Sequence, residues 1–354
     1  MPFLLTEEQR DFARTLDALL GAADTATAVR AWAAGEHKPG RALWTRLAET
    51  GVFALAVPEE HDGMGPLPLE LAVSFVELGR HAVPGPLVET VAAAAFLDRL
   101  GDAGAAADWL PRIAAGDAAV GLCADGAPFA LDADAADTVL VVGGDTVCRT
   151  ETHGPVQATL DPARRVSRPL GGTVLARGPA VTAAAGHAVA LARLLTAAQA
   201  LGLGRALLTG TVDYVRQRTQ FGRAIGSFQA VKHRLADVLI GLEFAQPLVH
   251  AAALALAGGA PSAGADVAAA KVAAGEACYA AARAALQLHG AVGYTDEPDL
   301  SLWIRKARPL RDACAPSCRR WIRPLDGVPA PVPRPGAAGA RRAHRGAGRC
   351  RGLV

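Results

Sequence analysis

Aromatic residues make up only 5% of this 354-residue chain although 51% of it is hydrophobic, so its interior cannot rest mainly on large rings. Alanine fills the gap, and a methyl side chain suits helices that approach one another closely. Cysteine is scarce and scattered. Cys123, Cys148, Cys278, Cys314, Cys318 and Cys350 form no dense framework, which excludes a disulfide-stapled scaffold and is expected of reduced thiols in a cytoplasmic protein. Cys314 and Cys318 share a helical spacing, but no second Cys or His pair at zinc-like spacing accompanies them, so no metal site is expected.

A strong charge of either sign is also missing. The net charge is +2, yet residues 327–354 hold six arginines (Arg334, Arg341, Arg342, Arg345, Arg349, Arg351) and no Asp or Glu; without them the body stands at −4. No basic face for nucleic acid is implied. The N-terminal residues turn acidic at Glu7 and Glu8, too early for a secretion signal. Asp98, Arg193 and His250 interrupt the best apolar runs short of the ~18 residues that cross a bilayer, so no membrane span is expected.

What is present divides the chain into four regions. Residues 1–116 read as a helical N-terminal domain: Thr6 precedes Glu7 and Glu8 as an N-cap, and Phe12, Leu16 and Leu19 recur on one face. A second amphipathic run carries Leu69, Val73, Val76 and Leu78. Residues 117–180 change to short β-type runs over 119–123, 138–142 and 172–176, with Gly143-Gly144-Asp145 as a hairpin turn, and predict a small β-barrel-like middle domain. Residues 181–326 return to a helical period. Phe228, Val231, Leu235, Val238 and Leu242 make one stripe, and alanine-rich stretches follow, predicting an antiparallel four-helix bundle. Residues 327–354 are Pro, Gly, Ala and Arg without periodicity, a composition expected to be disordered.

Two segments carry chemistry. Arg218-Thr219-Gln220-Phe221-Gly222 sits at the break between two long helical patterns, with Gly226 and Gln229 close behind. Arginine bonds phosphate in bidentate fashion, an aromatic ring lies against another ring, and glycine lets the backbone approach a ligand; the plainer reading is a surface arginine beside an interhelical turn. Gln287-Leu288-His289-Gly290-Ala291-Val292-Gly293 ends one helix in a glycine loop, which alone is only a helix stop. His289 suits a capping role more than a ligand, and His233 has no partner acid at a convincing spacing. The helix that follows is expected to be capped by Thr295 and Asp296, with Pro298 in its first turn. Asp296, Glu297 and Asp299 near its start and Arg305, Lys306 and Arg308 near its end match the helix dipole.

Together the two segments resemble the signature regions of the FAD-dependent acyl-CoA dehydrogenases. The resemblance covers most of the chain, as a helical domain including Leu47 to Glu60, a β middle domain and a helical bundle. It implies that Arg218, Phe221, Gly222 and Gln229 contact FAD, and that Gln287 and Gly290 reach the FAD of a neighbouring subunit. It further implies an oligomer, a dimer or tetramer of this or a related subunit, an acyl-CoA substrate and an electron-transfer flavoprotein or similar acceptor. The implied reaction is α,β-desaturation, in which a carboxylate takes the α-proton as flavin N5 accepts the β-hydride.

The chain departs from that pattern where the base should be. The position of the usual glutamate falls near Cys314, in Arg311-Asp312-Ala313-Cys314-Ala315-Pro316, with only Asp312 nearby. The alternative position falls near Leu191, Ala192 and Arg193, which has no carboxylate. A thiol is a weak proton acceptor unless its pKa is strongly depressed, so Cys314 is no ready substitute. The flavin-contacting segment of the middle domain is also altered, to Leu122-Cys123-Ala124-Asp125-Gly126-Ala127-Pro128-Phe129. Three readings follow: an active dehydrogenase with an unrecognised base, a base-less FAD-binding partner in a heteromeric dehydrogenase, and a flavin-free structural relative.

Overall fold

The computed structural model describes residues 4–124, 126–313 and 318; the segment expected to be disordered, 327–354, lies outside them, as does Cys314. The N-terminal region is helical because its helix starts are specified locally. In α1 (Glu7–Gly21) the Thr6 hydroxyl accepts from the Gln9 amide while the Gln9 side chain accepts from the Thr6 amide, a reciprocal cap. The Asp24 and Asp102 carboxylates cap α2 (Thr25–Ala33) and α6 (Ala103–Ala114) by accepting from first-turn amides, without the reciprocal bond. Between them lie α3 (Lys38–Glu49), α4 (Pro68–Arg80) and α5 (Leu87–Leu100), the last ended by Gly101 in a left-handed conformation.

The middle region consists of β1 (Val120–Cys123), β2 (Ala130–Leu131), β3 (Thr138–Gly143), β4 (Thr146–Thr150), β5 (Thr152–His153), β6 (Val166–Ser167), β7 (Pro169–Leu170) and β8 (Thr173–Arg177). Four of them form one sheet in the order β1-β3-β4-β8, and β2 with β6 and β5 with β7 form separate two-stranded pairs. Among the described residues this is an open sheet with short satellites rather than the small barrel-like domain the strand spacing suggested. Part of the reason is that β1 and β3 run parallel, which spends residues 124–137 on a crossover. The expected turn is there: β3 and β4 pair antiparallel around Gly144, whose φ is +65°.

The C-terminal region holds α7 (Pro179–Gln217), α8 (Gln229–Ala257), α9 (Ala263–His289) and α10 (Leu300–Asp312). The first three pack on one another, and the much shorter α10 lies against α7 and α9. At 39 residues α7 is ~58 Å long and forms the spine of the molecule, because α4 and α5 pack on it as well. The α4–α7 crossing depends on two glycines. A Cβ on Gly79 would stand 2.1 Å from the Gln199 carbonyl oxygen, and one on Gly202 would stand 1.8 Å from that of Val76.

Contrary to the expectation from the sequence, α7 and α8 are both apolar enough by length and composition to cross a membrane, even with Arg193 and His250 within them. In this fold α7 instead packs on α4, α5 and α9, and one hydrophobic core runs from the N-terminal helices through Val120, Leu140 and Val147 of the sheet into the bundle. A buried bond from the Val120 amide to the Thr90 hydroxyl, 3.1 Å, fixes the sheet against α5.

Candidate functional site

The first loop begins where α7 stops. Arg218 leaves the helical region of backbone space, and Thr219–Gln220 (β9) pairs antiparallel with Arg223–Ala224 (β10). Phe221 and Gly222 form the two-residue turn with φ of +54° and +76°. Such a turn needs positive φ at both positions, which glycine accepts and an aromatic residue resists by ~1–2 kcal/mol. The Phe221 ring is nonetheless 90% exposed, touched by the edge of Phe228 at 6.2 Å. A strained, exposed ring marks a place built to meet something outside the chain. Arg218 is exposed and forms no ion pair among the described residues. Gly226 lets the loop fold back on α7, since a Cβ there would stand 3.0 Å from the Val215 carbonyl oxygen. Gln229 is the exposed first residue of α8.

The second loop begins where α9 stops. Gln287 is exposed in its last turn, and Gly290 (φ +61°, ψ −137°) turns the chain into a single 3-10 turn over Gly290–Tyr294. Nothing lies within 4 Å of where a Cβ on Gly290 would be, so this glycine is required by its backbone and leaves open space beside it. His289 is buried with Nδ1 2.8 Å from the Ala285 carbonyl, the capping role expected of it, and its ring stacks on Tyr214 of α7. The two loops therefore lie at one end of the bundle.

Beside the second loop is a groove of about 410 Å³ lined by Arg234, Arg283, Leu286, Gln287, Gly290 and Tyr294. Its guanidinium groups were not singled out in the sequence, although Arg283 lies one turn before Gln287 on the same helical face. A polyanionic cofactor with an aromatic part, such as FAD, fits this end of the molecule on its donor set. It offers arginines without an ion pair among the described residues, an exposed aromatic ring, amide side chains and two glycines with open backbone.

A separate cleft lies between the sheet, α5 and α7. One cavity of about 240 Å³ is lined by Val88, Glu89 and Ala92 of α5, Val189, Ala192 and Thr196 of α7, and Ala313 just after α10. Its remaining wall includes Leu122, Ala124, Ala127 and Phe129, the altered middle-domain segment. A wider groove of about 540 Å³ continues from it past Val189 to Gly126, Gly144, Gly186 and Arg193.

Four ionisable groups reach the smaller cavity: Glu89, Asp132, Arg164 and Lys306. Burial raises the Glu89 carboxyl above its ordinary value, while Arg164, its own backbone and Lys306 pull it back. Burial pushes Asp132 up to about 7, opposed by the Trp32 indole and reinforced by the neighbouring Glu89. Asp132 Oδ1 accepts from Trp32 Nε1 at 3.1 Å and from the Arg165 amide at 3.3 Å. Lys306 is buried and its Nζ is 3.2 Å from Asp161 Oδ2. None of these four was legible as a site, because they come from α5, two loops of the middle domain and α10.

Several sequence expectations change here. Lys306 is not a helix-dipole partner at the surface but a buried cation holding the middle domain. The last helix starts at Leu300, and Asp299 precedes it without a side-chain cap. The acids expected at its start serve elsewhere: Asp296 pairs with Arg305 at 3.0 Å and Asp299 with Arg30 at 2.6 Å, while the Thr295 hydroxyl turns back to Val292 O. Asp312 is half-exposed, is paired with Arg311 and Arg308, and is absent from the cavity lining. Asp17, Glu77 and His81 cluster as possible metal ligands, but the Arg80 guanidinium already sits among them, 2.7 Å from Glu77.

Models of two families match the chain: acyl-CoA dehydrogenase, N-terminal domain, over residues 6–117, and acyl-CoA dehydrogenase, C-terminal domain, over residues 182–312. The chain is 34% identical over 305 residues to acyl-CoA dehydrogenase IpdE2 of Mycobacterium tuberculosis, covering 85% of this chain and 91% of the relative. A chain of the ChsE4-ChsE5 complex from Mycobacterium tuberculosis superposes with a TM-score of 0.81 at 27% identity, over 93% of this chain and 100% of that one. A glutaryl-CoA dehydrogenase from Mycobacterium smegmatis in complex with FADH2 shares the fold, with a TM-score of 0.78 at 18% identity over 93% and 97%.

Proposed function

The chain belongs to the acyl-CoA dehydrogenase family, and from that premise we propose that it is an FAD-binding subunit of an oligomer that desaturates an acyl-CoA thioester between Cα and Cβ. The observation that carries this reading is the pairing of two loops at one end of the bundle, each with a glycine whose φ is positive and whose flank is open. Arg218 would neutralise the cofactor's pyrophosphate, with Arg234 and Arg283 adding to the positive field. Phe221 would pack on a ring, and the Gln229 and Gln287 amides would bond polar edges. Because Arg218 and Gln287 lie on different loops, one FAD can be held by the first loop of one subunit and the second loop of a neighbour. FAD when bound supplies the two-electron acceptor for the β-hydride.

The rest falls to the chain itself. The apolar wall of Val88, Ala92, Val189 and Ala192 excludes water around the acyl group, and a carboxylate must take the α-proton. The ChsE4-ChsE5 complex contains two kinds of chain, and a related partner subunit is proposed here too. One specific observation favours a second reading, the base-less partner: Leu191 to Arg193 hold no carboxylate, and Asp312, the one acid near Cys314, is paired with Arg308 and Arg311 and does not line the cavity.

The test is flavin content and bleaching. Purified alone or with a co-expressed relative, the protein is expected to be yellow and to lose colour on addition of acyl-CoA under anaerobic conditions. Arg218→Ala should lower the FAD to protein ratio at least tenfold, and unchanged flavin in that variant would overturn the assignment of the loop.

A further inference from the structure

We propose that Glu89 of α5 is the group that accepts the α-proton of the acyl thioester. The proposal rests on reading the cleft as the acyl-CoA site. It starts from where the two expected base positions open. Ala192, within one expected neighbourhood, and Ala313, the chain neighbour of Cys314 in the other, line the same cavity of about 240 Å³ with Thr196, so this space is where a thioester would meet a base. Ala192 and Ala313, the residues of those two neighbourhoods that line the cavity, offer no proton acceptor. Glu89 lines the same cavity.

Of the described residues lining this cavity, Glu89 and Asp132 are its carboxylic acids. Asp132 is committed to structure. It is 1% exposed, in a left-handed conformation at φ +50°, and its Oδ1 already receives the Trp32 indole and the Arg165 amide. Glu89 receives no side-chain hydrogen bond among the described residues and reaches the cavity. Its surroundings suit a base: burial strengthens it as a proton acceptor, while Arg164 and Lys306 keep it from being neutralised outright. Lys306 is itself anchored by Asp161, so the field at Glu89 is fixed by the fold.

A Glu89 carboxylate oxygen forms an O–H bond with the proton from Cα. The Cα–H electron pair would become the new π bond, and the Cβ–H pair would leave as hydride to the two-electron acceptor that bound FAD would supply. Nothing further is consumed.

The test separates proton removal from oxidation. Protein holding FAD reduced by dithionite cannot accept hydride, so deuterium entering Cα of butyryl-CoA or octanoyl-CoA in D₂O reports the base alone, by mass spectrometry. Wild type is expected to exchange. Glu89→Gln should exchange at least 100-fold more slowly while keeping its FAD content and melting temperature. Exchange at the wild-type rate in Glu89→Gln, including with altered acyl-CoA affinity, overturns the proposal and leaves the cofactor reading intact. Wild type that holds FAD without exchanging either probe overturns it as well, whereas wild type that fails to bind FAD sinks the underlying reading. If Glu89→Gln does not fold, Glu89→Asp decides. A carboxylate withdrawn by one methylene should slow exchange at least tenfold, and an unchanged rate counts against Glu89.

Discussion

The ring of Tyr214 lies flat on the imidazole of His289, centroids 4.0 Å apart and planes 21° from parallel. Tyr214 is one turn before Arg218, and His289 lies between Gln287 and Gly290, so this stack fastens the ends of α7 and α9 that carry the two loops. The Tyr214 hydroxyl adds a long contact of 3.5 Å to the His289 carbonyl.

Removing the ring should therefore loosen the cofactor end more than the body. Tyr214→Ala is expected to cost ~2 kcal/mol of stability and to lower the FAD to protein ratio, with Tyr214→Phe near wild type because it keeps the stack. Absorbance of the bound flavin and a thermal melt read both effects; equal loss in the Phe variant would show that the hydroxyl, not the stack, matters.

The left-handed Phe221 offers an opposed pair of effects. Phe221→Gly relieves a conformation glycine adopts freely, so the flavin-free protein should gain up to ~1 kcal/mol. The same change removes the exposed ring, so FAD affinity should fall. A variant that loses stability and keeps its flavin would contradict both halves.

Gly202 and Gly79 test the close approach of α4 and α7. Gly202→Ala places a methyl 1.8 Å from the Val76 oxygen, and Gly79→Ala places one 2.1 Å from the Gln199 oxygen. Backbone atoms cannot step aside as a side chain can, so each should cost ~3 kcal/mol or more, seen as a large drop in melting temperature at matched scan rate. A near-neutral result would mean the helices lie farther apart.

Asp132 predicts a pH dependence. Its folded carboxyl is pushed up to about 7 by burial, against 3.8 ordinarily, so the folded state binds the proton more tightly than the unfolded one. The stability this confers is complete below about pH 4, falls as pH rises through about 7, and changes no further above. Asp132→Asn keeps the oxygen that accepts from Trp32 and tolerates the left-handed backbone. The variant should match wild type at pH 4 and melt higher at pH 8, by a few kcal/mol at ~1.4 kcal/mol per pKa unit. Parallel melting curves across that range would refute the shift.

How much was legible varies with distance along the chain. The Thr6 cap, the Gly144 turn and the break at Arg218 to Gly222 each depend on residues within a few positions, and the structure has all three. The start of the last helix was misread because Asp296 and Asp299 have ion-pair partners, Arg305 and Arg30, that cap rules do not consider.

The sequence by itself determined the helical, β and helical order of the regions and the two loops whose residues resemble a flavin site, because capping, turn geometry and motif spacing are short-range. Only the tertiary structure decided that Glu89, Asp132, Arg164 and Lys306 share one cavity. Their elements meet because α5 and α10 both pack on α7 and because the buried Lys306–Asp161 pair ties α10 to the middle domain. Burial and the nearness of charges set what a carboxyl can do, and both arise only when distant segments pack.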